Sequence, residues 1–193
     1  VVTDGTLTYS PDFVLAGSCT TSFSTSSSNR INNIEVAAGH LNNMVVMPGQ
    51  EVSVSTAIQP RTTANGYKSA GAYLNGRTVP AIGGGICQVS STVYNAVKNA
   101  GLEVVERHPH SMPVHYLPLG LDAAISAGSK DLRFKNNYSA PVILQAYTEG
   151  KNLIVNCLVW DHDLNGRSFK LWSKTTGSLS AKTYFTTYLN GVE

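Results

Sequence analysis

The stretch Gly83-Gly84-Gly85-Ile86-Cys87-Gln88-Val89-Ser90-Ser91 combines residue types that could carry covalent chemistry. Three glycines ahead of a helix let the backbone approach a ligand closely and leave several N–H groups uncovered. A thiol at such a terminus sits at the positive end of the helix dipole, which favours the nucleophilic thiolate. The backbone around Gly84, Gly85 and Gln88 could hold the oxyanion of an attacked carbonyl. The blander alternative is a glycine turn whose cysteine packs as a small apolar residue. A phosphate-binding loop fits less well, because the Lys-Ser/Thr pair that completes it is missing.

A thiol nucleophile needs a base, and three of the five histidines fall between two expected strands, at His108, His110 and His115. His110 is favoured, since Pro109 fixes its approach and Ser111 could orient the loop. Tyr116 and Asp122 are candidates for supporting the imidazole or the substrate. Turn chemistry is the plain alternative for Asp122. Arg61 and Arg107 could pair with substrate carboxylates, although an exposed arginine without such a role is the common case. His40 and His162 read as surface residues. The clustered histidines lack the spacing of a zinc site, so no metal and no cofactor is expected. Cys19 and Cys157 lie in a Ser/Thr-rich stretch and a hydrophobic strand. They could form a disulfide if their Cα atoms came within about 7 Å. With three cysteines, at least one thiol stays unpaired within the chain.

Two helices must position these groups. Ile31, Ile34, Ala38 and Leu41 recur at helical spacing over 29–41, behind Ser residues suited to capping. Val89, Val93, Ala96 and Val97 form the stripe of a second helix running to about Asn99, with Gly101 just past its end. Pro48-Gly49 separates two short strands, and Asn65-Gly66 and Asn75-Gly76 mark turns. Later strands are expected at Glu103–Glu106, Val114–Leu117, Ala123–Ser126 and Asp131–Lys135. Pro141–Tyr147 and Leu153–Trp160 would form a hairpin, and Ser168–Trp172 and Thr183–Leu189 two more strands. Helices early and strands late predict a single α+β domain: two main helices on a mostly antiparallel sheet, with a C-terminal β-hairpin region.

Composition narrows the partners. The 193 residues suit one domain. Only 13% are charged, with a net charge of +2 and no basic run, which argues against nucleic acid as a partner. The low charge means a surface made largely of Ser, Thr, Asn and Gly.

The ordered set of segments resembles the VanW domain family of bacterial cell-envelope proteins, from about Ser22 to Val159. It comprises Asn29-Arg30-Ile31-Asn32-Asn33-Ile34, Pro48-Gly49-Gln50, Arg61-Thr62 with Asn65-Gly66-Tyr67, and the glycine–cysteine stretch. It continues through Glu106-Arg107-His108-Pro109-His110-Ser111, Tyr116-Leu117-Pro118-Leu119-Gly120-Leu121-Asp122-Ala123 and Asp131-Leu132-Arg133-Phe134-Lys135-Asn136-Asn137. Val52 departs from the family's usual Phe, and Cys19 and Cys157 lie outside the pattern. The chain thus reads as an extended segment over 1–21, a catalytic domain over 22–160 that carries the resemblance, and a β extension of the same domain over 161–193. The resemblance implies peptidoglycan metabolism outside the membrane, in a parent protein anchored there. Some members resemble L,D-transpeptidases. On that basis Cys87 would attack a donor tetrapeptide stem, release D-Ala and pass the acyl group to a diaminopimelate amine, with His110 as base. The alternatives are a thiol amidase or endopeptidase acting on stem peptides, and a non-catalytic wall-binding module.

Overall fold

The computed structural model describes residues 2–3, 6–7, 12–74 and 77–193. The expected turn at Asn75-Gly76 lies outside the described residues. In chain order the elements are β1 (Val2–Thr3), β2 (Thr6–Leu7), β3 (Phe13–Ser22), α1 (Ser28–Leu41), β4 (Met44–Val46), β5 (Glu51–Ser53) and α2 (Val54–Ala57). A 3-10 turn over Thr63–Asn65 precedes β6 (Ser69–Leu74), β7 (Arg77–Ile82), α3 (Ile86–Asn99), β8 (Glu103–Glu106) and β9 (Arg133–Lys135). The chain closes with β10 (Val142–Glu149), β11 (Asn152–Trp160), α4 (Asp161–Leu164), β12 (Arg167–Gly177) and β13 (Ser180–Leu189). The fold is α+β, and every strand pair among the described residues is antiparallel.

The main sheet has the order β3-β11-β10-β4. Alternation along β11 turns Leu153, Val155, Cys157 and Val159 inward, all fully buried. Against that face pack Ile34, Ala37, Ala38 and Leu41 of α1 and Val89, Val93, Ala96 and Val97 of α3. Ser27 caps α1 by accepting from the Arg30 N–H. Gly17 lets β3 run against the end of α3: a Cβ there would lie 2.6 Å from the Asn99 carbonyl carbon. A smaller sheet, β5-β9-β8, buries Phe134 beneath α3 and supports the approach to the site.

The two long helices, the β10–β11 hairpin and the C-terminal strands fall where the sequence places them, with the last pair longer than expected. Three features differ. The Ser/Thr-rich segment before Ser22 holds a ten-residue strand, β3, at the edge of the main sheet. The strands flanking Pro48-Gly49 do not pair with each other; β4 pairs with β10 and β5 with β9. Val114–Leu117 and Ala123–Ser126 are not strands, and only the bridge Ser126–Lys130 forms there. Side chains from α3 and Arg107 bind the backbone of 120–124, so it has no need of a neighbouring strand.

Candidate active site

The glycine loop joins β7 to α3 and is shaped from below by α1. Gly85 is the N-cap of α3 with φ +111°, and α3 has no side-chain cap. A Cβ on Gly84 would lie 2.6 Å from the Ala70 carbonyl carbon, and one on Gly85 2.8 Å from Arg30 Cγ. Asn33, fully buried on α1, donates to the carbonyls of Lys68 and Gly84, both at 2.9 Å, and accepts from the Lys68 N–H at 2.7 Å. Asn29 and Asn32, on the same side of α1, donate to the Ser69 and Gly66 carbonyls. One helix face therefore holds both the loop and the strand entering β6.

Cys87 occupies the first turn of α3, half-buried, with Sγ 3.4 Å from the Ile125 carbonyl oxygen. His110 lies within interaction range of this thiol. Its Nδ1 lies 2.6 Å from Asp122 Oδ2, and its backbone N–H donates to the same oxygen at 2.7 Å. Nε2 is thus the ring nitrogen left for the sulfur. Asp122 Oδ1 accepts from the Arg107 guanidinium at 3.2 Å, while Arg107 also donates to the carbonyls of Asp122 and Gly120 at 2.7 and 3.0 Å. The His110 and Asp122 side chains are 8% and 10% exposed.

Burial works against a charged His110. The interactions with Asp122 and Cys87 outweigh it, and its pKa is pushed up to about 9. Burial would likewise raise the Asp122 carboxyl. The His110 bonds, with help from Arg107, instead hold it below the usual carboxylate range. The imidazole is therefore a cation at neutral pH, fixed between a carboxylate and a sulfur.

Helix α3 also locates Asp122. Ser91 Oγ accepts from the Ala123 N–H at 2.9 Å, Ser90 donates to the Ala123 carbonyl at 2.6 Å, and Asn95 donates to the Leu121 carbonyl at 2.7 Å. Cys87 and the carboxylate are thus set from one rigid element. Tyr116 lies near Ser91, Cys87 and Asp122, and burial raises its phenol.

Among the backbone donors at the loop, the Gly84 N–H binds the Ala81 carbonyl and the Gln88 N–H binds the Gly85 carbonyl. Those two are engaged in shaping the turn. Among the described residues, the N–H groups of Gly85, one of the three expected, and of Cys87 have no such acceptor, which leaves these two able to meet a ligand oxygen. The buried Gln88 side chain donates to Thr21 Oγ1 and the Ser22 carbonyl and ties α3 to β3. Arg107 is turned inward onto Asp122 and over the Tyr94 ring at 5.4 Å, and so positions the carboxylate. Arg61 donates to Ser55 Oγ and lies along Gly83. His108 pairs with Glu106 at 2.8 Å, away from the thiol, and His115 is exposed. Ser111 lines a cleft of about 310 Å³ beside His110, between the 107–122 segment and the β12–β13 tip. In the sequence Asn33 and Ser91 stand within the segments that carry the resemblance but with no role assigned, and Asn95 reads only as a polar residue in a helix. The signal for Asn33 is a short amide on the apolar side of α1, where solvation cannot explain it.

Cys19, Cys87 and Cys157 are all free. Cys19 pairs in register with Val155 and Cys157 with Gly17, and burial pushes both thiols up, Cys19 to about 12. Among the described residues no group of three or more His, Cys, Asp or Glu side chains could hold a metal ion, and no helix is long and apolar enough to cross a membrane.

Fold and site together define an α+β protein with a thiol–imidazole–carboxylate relay at a helix N-terminus, a geometry suited to acyl transfer. The family profile described as VanW like protein matches residues 29–158, and the chain belongs to that family. It is 41% identical to the Bacillus subtilis protein YoaR over 139 residues, covering 72% of this chain and 46% of that protein. It is 28% identical to the vancomycin B-type resistance protein VanW of Enterococcus faecalis over 114 residues, covering 56% of this chain and 42% of that relative. The chain thus spans less than half the length of these curated relatives. No solved structure matches it significantly.

Proposed function

We propose that this domain is a peptidoglycan L,D-transpeptidase working outside the membrane at the cell wall, with Cys87 as nucleophile. The observation that carries the reading is His110, held by Asp122 at 2.6 Å through Nδ1 and set beside the Cys87 thiol. Membership in a family that includes a vancomycin-resistance protein supports a cell-wall role.

In the acylation step the Cys87 sulfur, its proton resting on His110, attacks the carbonyl carbon of the third residue of a donor tetrapeptide. A C–S bond forms, and the oxyanion is met by the N–H groups of Gly85 and Cys87. His110 gives its proton to the amine of the terminal D-Ala, the C–N bond breaks, and a thioester remains. The side-chain amine of diaminopimelate on an acceptor stem then attacks the thioester. Now-neutral His110 takes the amine proton, and sulfur departs to re-form the starting pair. One amide is broken and one is made, so no external energy source is required. Asp122 does not lose or gain a proton; it fixes the tautomer and stabilises the imidazolium.

Incubation with a disaccharide-tetrapeptide, followed by mass analysis, tests the proposal. A dimer lacking one D-Ala is the expected product. A free tripeptide alone would reassign the domain as a hydrolase, and unchanged substrate would point to a binding module. A carbapenem, which mimics the acyl donor, should leave a covalent adduct on Cys87.

A further inference from the structure

The β12–β13 hairpin has two unlike faces. Its register sets Ser168 opposite Tyr188, Lys170 opposite Thr186, Trp172 opposite Tyr184 and Lys174 opposite Lys182, and alternation places these eight residues on one face. The other face docks onto the domain. The Leu171 N–H donates to Asn99 Oδ1 at 2.8 Å, Phe169 lies against Gly101, and Thr183 donates to the Gly120 carbonyl at 3.2 Å.

The first face has an aromatic centre. Trp172 and Tyr184 stack at 4.4 Å with 17° between planes, and Trp172 Nε1 donates to Thr186 Oγ1 at 3.1 Å. They remain 37% and 38% exposed, so this fixed pair offers apolar surface of the kind that meets the C–H face of a sugar ring. Around it stand Lys170, Lys174 and Lys182, all exposed and none in an ion pair among the described residues. Residues 167–189 contain four of the chain's 14 Lys and Arg and none of its 12 Asp and Glu, so this element carries a local excess of positive charge on a nearly neutral protein. At the tip, Leu179, Ser180 and Ala181 wall the cleft that also contains His110.

We infer that the outer face of this hairpin binds the glycan strand of peptidoglycan. Trp172 and Tyr184 lie against sugar rings, Lys170, Lys174 and Lys182 meet stem-peptide carboxylates, and the tip leads a stem into the cleft. The choice of polymer rests on the wall-substrate reading above. The platform itself lies beyond residues 29–158, the part matched to the family.

The test is co-sedimentation of the whole chain with peptidoglycan sacculi stripped of teichoic acid, which reads binding without turnover. Trp172→Ala with Tyr184→Ala should weaken binding at least about tenfold. Because that pair also steadies the hairpin, a triple Lys→Gln variant at positions 170, 174 and 182 keeps the stack and isolates the charge. It should weaken binding at least about fivefold and remove most of the loss that the native chain shows in about 0.5 M salt. Equal binding by the triple variant and the native chain overturns the inference. So does retention by teichoic acid or single-stranded DNA but not by stripped sacculi. An active transpeptidase that does not sediment removes the platform alone. A protein that sediments but never crosslinks stems removes the catalytic reading alone.

Discussion

The two halves of the proposed catalytic site are held by opposite means. Cys87 stands on regular structure: its place follows from helix geometry, a glycine turn and the contact of α1 with the loop. His110 and Asp122 stand on residues 107–132, most of which form no strand or helix, and are fixed by side chains gripping backbone groups. Regular structure places a nucleophile through local sequence. An irregular segment places a base only through hydrogen bonds between residues distant in the sequence, such as Ser90 with Ala123, 33 apart. The first kind of positioning tolerates change in distant side chains, and the second does not.

Substitutions on the two sides separate these modes. The largest effect is expected from Cys87→Ala, which should lower crosslinking of tetrapeptides by more than about 10⁴-fold while leaving the circular-dichroism spectrum unchanged. Retained crosslinking would dismiss the thiol mechanism. Next is Asp122→Asn, expected to reduce kcat by about 10²- to 10⁴-fold in steady-state assays, because the imidazole loses its tautomer and its counter-charge. It should also lower the His110 titration midpoint from about 9, as read by NMR.

That midpoint fixes a sign for stability. His110 is raised above its ordinary value of 6.5, so the stability contributed by its protonated form is complete below about pH 6.5 and is lost as pH rises through about 9. Denaturation midpoints of the native chain should therefore fall across that window relative to Asp122→Asn. Parallel curves would show that the Asp122–His110 pair does not couple to folding.

On the nucleophile side, Asn33→Ala should destabilise the domain by about 2–4 kcal/mol in urea titrations, since it strands buried backbone groups of Lys68 and Gly84. Its effect on kcat should be smaller than that of Asp122→Asn. The smallest change is expected from His108→Gln, under about twofold in kcat/KM, because His108 pairs with Glu106 at a partly exposed site where such contacts contribute little. A large loss there would move the base away from His110.

The same contrast explains what could be read in the sequence. Helices α1 and α3 and the β10–β11 hairpin declare themselves through local periodicity. So does Cys87, whose setting is contained within nine consecutive residues. Strand β3 is obscured because it is an edge strand with half its residues facing solvent, so Ser and Thr replace the usual apolar alternation. The pairing of Asp122 with His110 could be suspected but not chosen, since neither spacing nor periodicity encodes it. Arg107 looked like a substrate contact because nothing local shows that Gly120 and Asp122 fold back onto its guanidinium. The unlike faces of β12–β13 follow from alternation, but which face docks depends on Gly101 and Asn99, far away in sequence.

Arg107 has a consequence for how the molecule comes apart. Its guanidinium fastens a 15-residue span to itself, and the length-dependent part of the entropy released on opening such a loop is about 2 kcal/mol. Few backbone ladder bonds oppose that release over 107–120, whereas α1, α3 and the main sheet share one continuous core that Leu121, Ala123, Ile125 and Leu132 also enter. The span from Arg107 to Gly120, which carries His110, is thus the part able to open below the threshold of global unfolding. In rising denaturant, amide exchange around His110 should quicken and activity should vanish while helical signal persists. The proposed activity would be switched off by a local fraying that leaves the fold in place.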